Sequence, residues 1–541
     1  MKKNLTYDYI VVGTGPTGSV IAKTLTDDKR TSVLVLESGG NHDKDRPIKD
    51  STFALELEES YSPNYFWQGE GVPLEGLDGR SFEWTTGRLS GGGSSINGEQ
   101  YVRPTAAVLK KWERLLGPLW SPDKAIRRFK QLENYNGSTT NKAAHGFKGR
   151  ISIRQAPENP TSMAKKLATA IERASGHPII LDYNDPNTPL GPFTRWQLYQ
   201  QPDGRRESSS TAFLSSDIMT PLGRGVNNRK LTVLFRTTAL RILFSGKRAI
   251  GVEYLKDGKC TRAYSRKKVI LSAGINSPQL LMLSGFGPAK ILKKAGIPII
   301  FDNPNVGQRL KNHTLNFAEF ATNPNDLPLP TQDPNALYTG GAFLPDPSGN
   351  DPDQRAVQLI GIGSDEQLTI AILYLRPRSK GNIRIQSKDP LNIVLADEGF
   401  LSDPDDMEAV KRIYRTYIKN IALELERIDP SYQLLSPTLD MIDDDERLEE
   451  FIKGNFDHNH HQQGFLRMAP LSKGGVVDRR GNVHGVKDLI VADASIVPFT
   501  VDGNTSSAAY LIGYTIARQL CKKTIRQKKH RTRTEWAEES E

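Results

Sequence analysis

Residues 7–39 read "YDYIVVGTGPTGSVIAKTLTDDKRTSVLVLESG". Tyr9 to Val12 is a short apolar run, the pattern of a strand buried on both faces. Gly13, Thr14, Gly15, Pro16, Thr17 and Gly18 follow as a G-x-G-x-x-G turn. Val20, Ile21, Thr24 and Leu25 then recur at helical spacing, and "SVLVLE" is a second apolar strand ending in Glu37, next to Ser38. Strand, glycine turn, helix, strand and acid make a dinucleotide-binding βαβ unit. Gly13 permits the tight turn, Gly15 lets the backbone approach a pyrophosphate, and Gly18 lets the helix lie close on the strand. The helix start offers free N–H groups and a positive dipole end to phosphates. Glu37 is placed to accept hydrogen bonds from ribose hydroxyls. The motif does not separate FAD from NAD.

At 541 residues, two or more domains are expected. No run of eighteen apolar residues predicts a transmembrane span. The first apolar stretch is too short for a secretory signal, so a cytoplasmic location is expected. Cys260 and Cys521 are the only cysteines, which argues against a disulfide framework and suits a reducing compartment. Net charge is +10, part of it in the tail, where residues 521–541 hold seven Lys/Arg against four Glu. The basic run has no interleaved aromatics for base stacking, so residues 522–541 are expected to be a charged, disordered tail and no nucleic-acid partner is expected.

Further along, "TTGRLSGGGSSING" (85–98) is a second glycine–serine run, either a linker or an anion-cradling turn. Residues 267–288 read as strand, turn and helix, with Ser277-Pro278 at the helix start. Leu489 to Ala492 is a late strand running into Asp493, and 504–520 a helix of small and apolar residues. Late strands of this kind return to the first sheet. Residues 322–356 read as long loops. Ala409, Ile413, Tyr417 and Ile421 share a helical face, and 438–455 read as one further helix with Asp443 to Asp445 near its positive end.

"DHNHHQQGFLRMAP" (457–470) holds His458, His460 and His461, a third of the nine histidines. No Cys pair or His-Glu-x-x-His spacing accompanies them, so no metal site is expected. His458 is expected to be a solvated loop residue.

These segments, in this order from Tyr7 to about Leu520, resemble the glucose–methanol–choline (GMC) flavoprotein oxidoreductases. "GRLSGGGSSING" and "INSPQLLMLSGFGP" are similar to the family's two signatures, and "GRRESSSTAFL", "VGQRLKNH" and "VVDRRGNVHGVKDLIVADASIVP" to its further motifs. The resemblance implies an α/β (α+β overall) fold, with a Rossmann-like FAD-binding domain interleaved with an antiparallel-sheet-plus-helices substrate domain. The FAD domain would span 1–150, 204–310 and 460–521, and the substrate domain 151–203 and 311–459. It implies FAD on the first turn and Glu37, with Arg88, Gly92, Gly93, Ser94, Asn97 and Gly98 from the second run. Ala239, Asp493, Ala494 and Thr505 would complete the cofactor site. Ile96 stands where some relatives carry a flavin-bonding histidine, so FAD is expected to be non-covalent.

The family's His-x-x-Gly-Thr-x-x-Met-Gly register falls on His461, which is thus the implied base, with Asn504 as its partner. Alcohol oxidation moves a proton from the hydroxyl and a hydride from the carbon to flavin N5, and a neutral imidazole suits the proton. The implied reaction is oxidation of a small-molecule alcohol to an aldehyde or ketone, with O2 or another acceptor. The family also includes hydroxynitrile lyases, and a non-catalytic flavoprotein is the remaining alternative. His460 and Glu99 are candidate substrate contacts, although Glu99 would also suit an arginine partner. Ser90, Glu99, Phe465 and Ala469 depart from the family pattern and put the substrate in doubt, not the fold. The sequence leaves the oligomeric state open.

Overall fold

The computed structural model describes residues 5–51, 64–326, 333, 337–364 and 367–538. The strand Leu5–Val12 lies at the centre of a seven-stranded sheet. It pairs in parallel with Val33–Leu36 on one side and Lys259–Leu271 on the other. Leu231–Leu234 continues the sheet beyond Val33–Leu36, and Leu489–Val491 beyond Lys259–Leu271, again in parallel. Tyr9–Val12, Val33–Leu36 and Leu489–Val491 are all buried, which is why they read as unbroken apolar runs. Thr237–Ser245 and Arg248–Lys256 add an antiparallel ribbon.

The helix Pro16–Thr26 starts at Gly15 and packs against the long helix Ser506–Glu538. The contact is close: a Cβ at Gly513 would lie 2.8 Å from Thr17 Cα. Gly18 is equally constrained, since its Cβ would stand 2.1 Å from Gly13 O.

The second large sheet is antiparallel. Its order is Leu434–Ser436, Asn316–Ala321, Gln367–Tyr374, Val357–Gly363, Gly341–Leu344 and Gly191–Phe193. Side chains alternate between its faces. Ala318, Phe320, Leu359, Ile370 and Ile372 share a core with the helices Ser162–Ser175, Pro404–Ile413 and Lys419–Ile428. Phe317, Ile360, Ala371 and Leu373 point the other way, toward the cavity described below.

Some expectations change. The helix through Ala409, Ile413, Tyr417 and Ile421 buries all four, but a π-turn, Tyr414–Ile418, divides it. Residues 438–455 form two helices, Leu439–Asp443 and Asp445–Gly454. Asp444 breaks them because its carboxylate caps Arg447 N at 3.0 Å, and aspartate favours caps over helix interiors. The stretch 322–356 is not all loop, since Gly341–Leu344 pairs on both edges. Its residues 327–332 and 334–336 lie outside the described set. The backbone after Cys521, expected to be disordered, continues as helix to Glu538. No Gly or Pro follows Gly513 in this helix, and extending a formed helix is far easier than nucleating one. Residues 539–541 lie outside the described set. Among the described residues no helix is long and apolar enough to cross a membrane.

Candidate active site

A cavity of about 450 Å³ opens at the C-terminal end of Leu5–Val12 and reaches the antiparallel sheet. Gly13, Thr14, Gly15, Pro16, Thr17, Glu37 and Ser38 line one end. Gly92, Gly93, Ser94, Asn97 and Gly98 line its middle, with Ala239, Asp493, Ala494 and Thr505. His460, His461, Asn504 and Glu99 line it as well. Two predicted residues do not. Gly18 lies beneath the turn as a packing residue, and the Arg88 guanidinium covers the Trp67 ring at 4.7 Å while Trp67 itself lines the cavity.

The lining suits a dinucleotide. Gly13 has φ +98°, and a Cβ there would meet Ser272 O at 2.4 Å. No protein atom lies within 4 Å of a Cβ built on Gly15 or Gly93, so both leave backbone open to a ligand. No side chain caps the helix that starts at Gly15, so its first N–H groups are left for an anion. Glu37 is buried and accepts from Thr14 N at 2.9 Å, Thr14 Oγ1 at 2.6 Å and Gly39 N at 3.0 Å. Burial pushes its pKa up against these bonds. Oε2 takes both Thr14 bonds, so Oε1 is the oxygen with a lone pair left for a ribose hydroxyl.

The Asp493 side chain is engaged within the protein. Its carboxylate is spent on Ser277 Oγ, Gly274 N and Ser495, which tie the Ser277–Leu283 helix to the end of Leu489–Val491. Ser209 is a residue the sequence reading missed. Its hydroxyl donates to Thr14 O and Gly91 O, and its N–H donates to Ser94 Oγ, so it clamps the two glycine turns together.

The histidines divide by environment. His458, expected in solvent, is buried. Its Nδ1 accepts from His460 N at 3.2 Å and its Nε2 donates to Glu398 Oε1 at 2.9 Å. Glu398 lies 60 residues earlier in the chain, so no local pattern announces it. His460 packs against His458 with ring centroids 4.3 Å apart, and bonds the Thr85 backbone. Among the described residues no group of three or more His, Cys, Asp or Glu could hold a metal ion.

His461 sits in an ordered hydrogen-bond chain. The Val501 carbonyl only accepts, so His313 Nε2, 2.9 Å away, carries a proton. His313 Nδ1 is therefore bare, and His461 Nδ1, 3.0 Å from it, carries the next proton. His461 Nε2 is then an acceptor. Asn504 Nδ2 donates to it at 3.1 Å, and Asn504 Oδ1 in turn accepts from Gln358 Nε2 at 3.1 Å. Burial, then the neighbouring His313, His460 and His458, hold the His461 pKa well below the usual histidine range. Burial likewise draws His313 down to about 4. His313 and Gln358 were not among the predicted site residues. His313 closes the quoted "VGQRLKNH" stretch, which was the available signal. Gln358 carried none, because its partner lies 146 residues away.

Glu99 is not available to a substrate. It is fully buried and holds Ser51 Oγ at 2.9 Å, Gln200 Nε2 at 2.8 Å and Arg206 Nε at 3.2 Å. Arg206 in turn donates to the Ile48 and Asn97 backbone carbonyls, so the pair ties three loops together. The other departures are also structural. Ser90 is buried and donates to Asp43 Oδ1 at 2.9 Å, and Phe465 and Ala469 are core residues, although Phe465 also lines the cavity.

The GMC oxidoreductase N-terminal model matches residues 7–315, and the C-terminal model residues 377–513. Human mitochondrial choline dehydrogenase is 30% identical, over 94% of this chain and 88% of the relative. The oxygen-dependent choline dehydrogenase of Cronobacter sakazakii is 29% identical, over 94% of each. A formate oxidase of Aspergillus oryzae, studied for its FAD modification, superposes with a TM-score of 0.85 at 21% identity, over 96% of this chain and 98% of that one. Sequence, cavity and fold converge: the chain belongs to the GMC oxidoreductase family.

Proposed function

We propose that this chain binds FAD without a covalent link and oxidises a small-molecule alcohol at its CH–OH carbon, with His461 as the base. The observation that carries the reading is the chain Val501–His313–His461–Asn504–Gln358. It leaves His461 Nε2 unprotonated and Asn504 N–H donating at one place in a cavity built for a dinucleotide. Gly13–Thr17, Glu37, Ser38, Gly92–Ser94, Asn97, Gly98, Ala239, Ala494 and Thr505 would hold the FAD. When bound, FAD supplies the acceptor for the two electrons and the hydrogen that leave carbon. Ile96 lines the cavity and offers no nucleophile for a flavin bond.

An alcohol oxygen entering between His461 Nε2 and Asn504 Nδ2 would donate its proton to the imidazole and accept from the amide. Nδ1–H of His461, held by His313, keeps Nε2 aimed at that oxygen. Asn504 cannot take the proton, so it positions the oxygen without competing for it. Such a base supplies roughly 10²–10⁴-fold in rate. The test is anaerobic mixing of the yellow protein with a panel of alcohols. Bleaching of the flavin band supports the reading, and readmitted air then tests O2 as acceptor. A flavin that no alcohol bleaches, together with cyanohydrin cleavage, would overturn it in favour of a lyase.

A further inference from the structure

We infer that the substrate is an uncharged alcohol with an apolar branched-alkyl or aryl body, and that a quaternary ammonium alcohol is discriminated against. The inference rests on the alcohol-oxidation reading and adds the substrate class.

The substrate end of the cavity is one face of the antiparallel sheet. Phe317, Ala371 and Ile360 lie opposite one another on three adjacent strands, and Leu373 faces Gln358. Ile362 and Tyr338 extend the same wall. The Tyr338 hydroxyl proton is committed to Gly98 O at 2.7 Å. Gln358 Nε2 is committed to Asn504 and Gln100, while its buried Oε1 has no partner among the described residues. The polar atoms already placed for an alcohol oxygen, His461 Nε2 and Asn504 Nδ2, lie at one edge of this wall.

A buried cation needs a carboxylate or a set of aromatic faces. Among the described residues the cavity carboxylates are Glu37, Glu99 and Asp493. Glu37 serves the glycine turn, Asp493 is held by Ser277 and Ser495, and Glu99 is neutralised by Arg206. Trp67 already carries the Arg88 cation on its ring. Phe317, Tyr338 and the almost fully buried Phe465 remain, which is thin compensation for desolvating a trimethylammonium group.

The test compares choline with 3,3-dimethylbutan-1-ol, its neutral isostere, on the FAD-loaded protein. The two differ only by N⁺ against C, so shape is held constant. Anaerobic stopped-flow should give a flavin-reduction efficiency (limiting rate over Kd) for the neutral alcohol about tenfold or more above that for choline, the penalty for an unpartnered cation. Equal or faster reduction by choline would overturn the inference. If neither compound bleaches the flavin, the oxidation reading is judged on the wider alcohol panel, and binding alone decides the pocket class. Each compound's shift of the flavin band then gives its affinity, tighter isostere supporting the pocket class and tighter choline overturning it.

Discussion

His145 and His313 are equally buried, at 1% and 0% exposed, yet their protonation is driven in opposite directions. His145 lies between two carboxylates, with Nε2 2.8 Å from Asp182 Oδ2 and Nδ1 3.3 Å from Glu133 Oε1. Arg103 also pairs with Glu133, and Tyr135 stacks on the imidazole at 3.7 Å. Burial alone would lower the His145 pKa, but the bonds to Asp182 and Glu133 outweigh it and raise it. Burial would likewise raise Glu133, but Arg103 and His145 hold it at about 2. His313 and His461 have each other, a backbone carbonyl and an amide, with no carboxylate in contact. Burial therefore prevails there and both stay neutral. The fold thus drives one buried histidine toward its charged form and holds two others neutral, by supplying or withholding carboxylates.

The largest effect should come from His461→Ala. Anaerobic flavin reduction should fall by roughly 10²–10⁴-fold while the visible spectrum shows FAD retained. An undiminished rate would end the assignment of the neutral site as the catalytic one. Next in size, Glu133→Ala leaves Arg103 and His145 as buried cations with too few counter-charges. It should cost about 3–5 kcal/mol, read as a large drop in thermal midpoint. An unchanged midpoint would mean that this cluster carries no structural load.

His313→Glu would break the contrast directly, by giving His461 the carboxylate that His145 has. Flavin reduction requires neutral His461, so the acid limb of its pH profile should move upward by about 1–3 units. A profile that stays in place would show that the partner does not set the base. The signs of the stability effects sharpen the same comparison. His313 has a folded pKa of about 4, below its unfolded 6.5, so its contribution is present above 6.5 and is lost as pH falls toward 4. His461 acts in the same direction, each histidine by up to about 1.4 kcal/mol per pH unit. The His145 contribution is full below 6.5 and is lost as pH rises through its raised value. Thermal midpoints between pH 7 and pH 4.5 should fall less steeply in His461→Ala than in the parent. The smallest effect is expected from Gln358→Leu. Losing one hydrogen bond to Asn504 frees its amide to turn, and the reduction rate should fall about 2–10-fold.

The dinucleotide half was legible because its signals are local. Tyr9–Val12, the glycine turn and Glu37 sit within thirty residues, and strand burial, turn sterics and helix capping act over that range. The His461 register was equally readable once the family motifs were in hand. His458 was misread because its polar neighbours suggest solvent, whereas Glu398 buries it from another part of the chain. Glu99 looked available because Ser51, Gln200 and Arg206 are distant in sequence.

By itself the amino-acid sequence determined the parallel sheet and the glycine turn, since backbone geometry and apolar periodicity are short-range properties, whereas His461 was singled out by the family resemblance alone. Only the tertiary structure decided which atoms of the site carry protons and which side chains line the pocket. Those depend on which groups face one another across the cavity. Val501, His313, His461, Asn504 and Gln358 come from four distant segments, and dielectric and hydrogen-bond partners exist only after those segments meet.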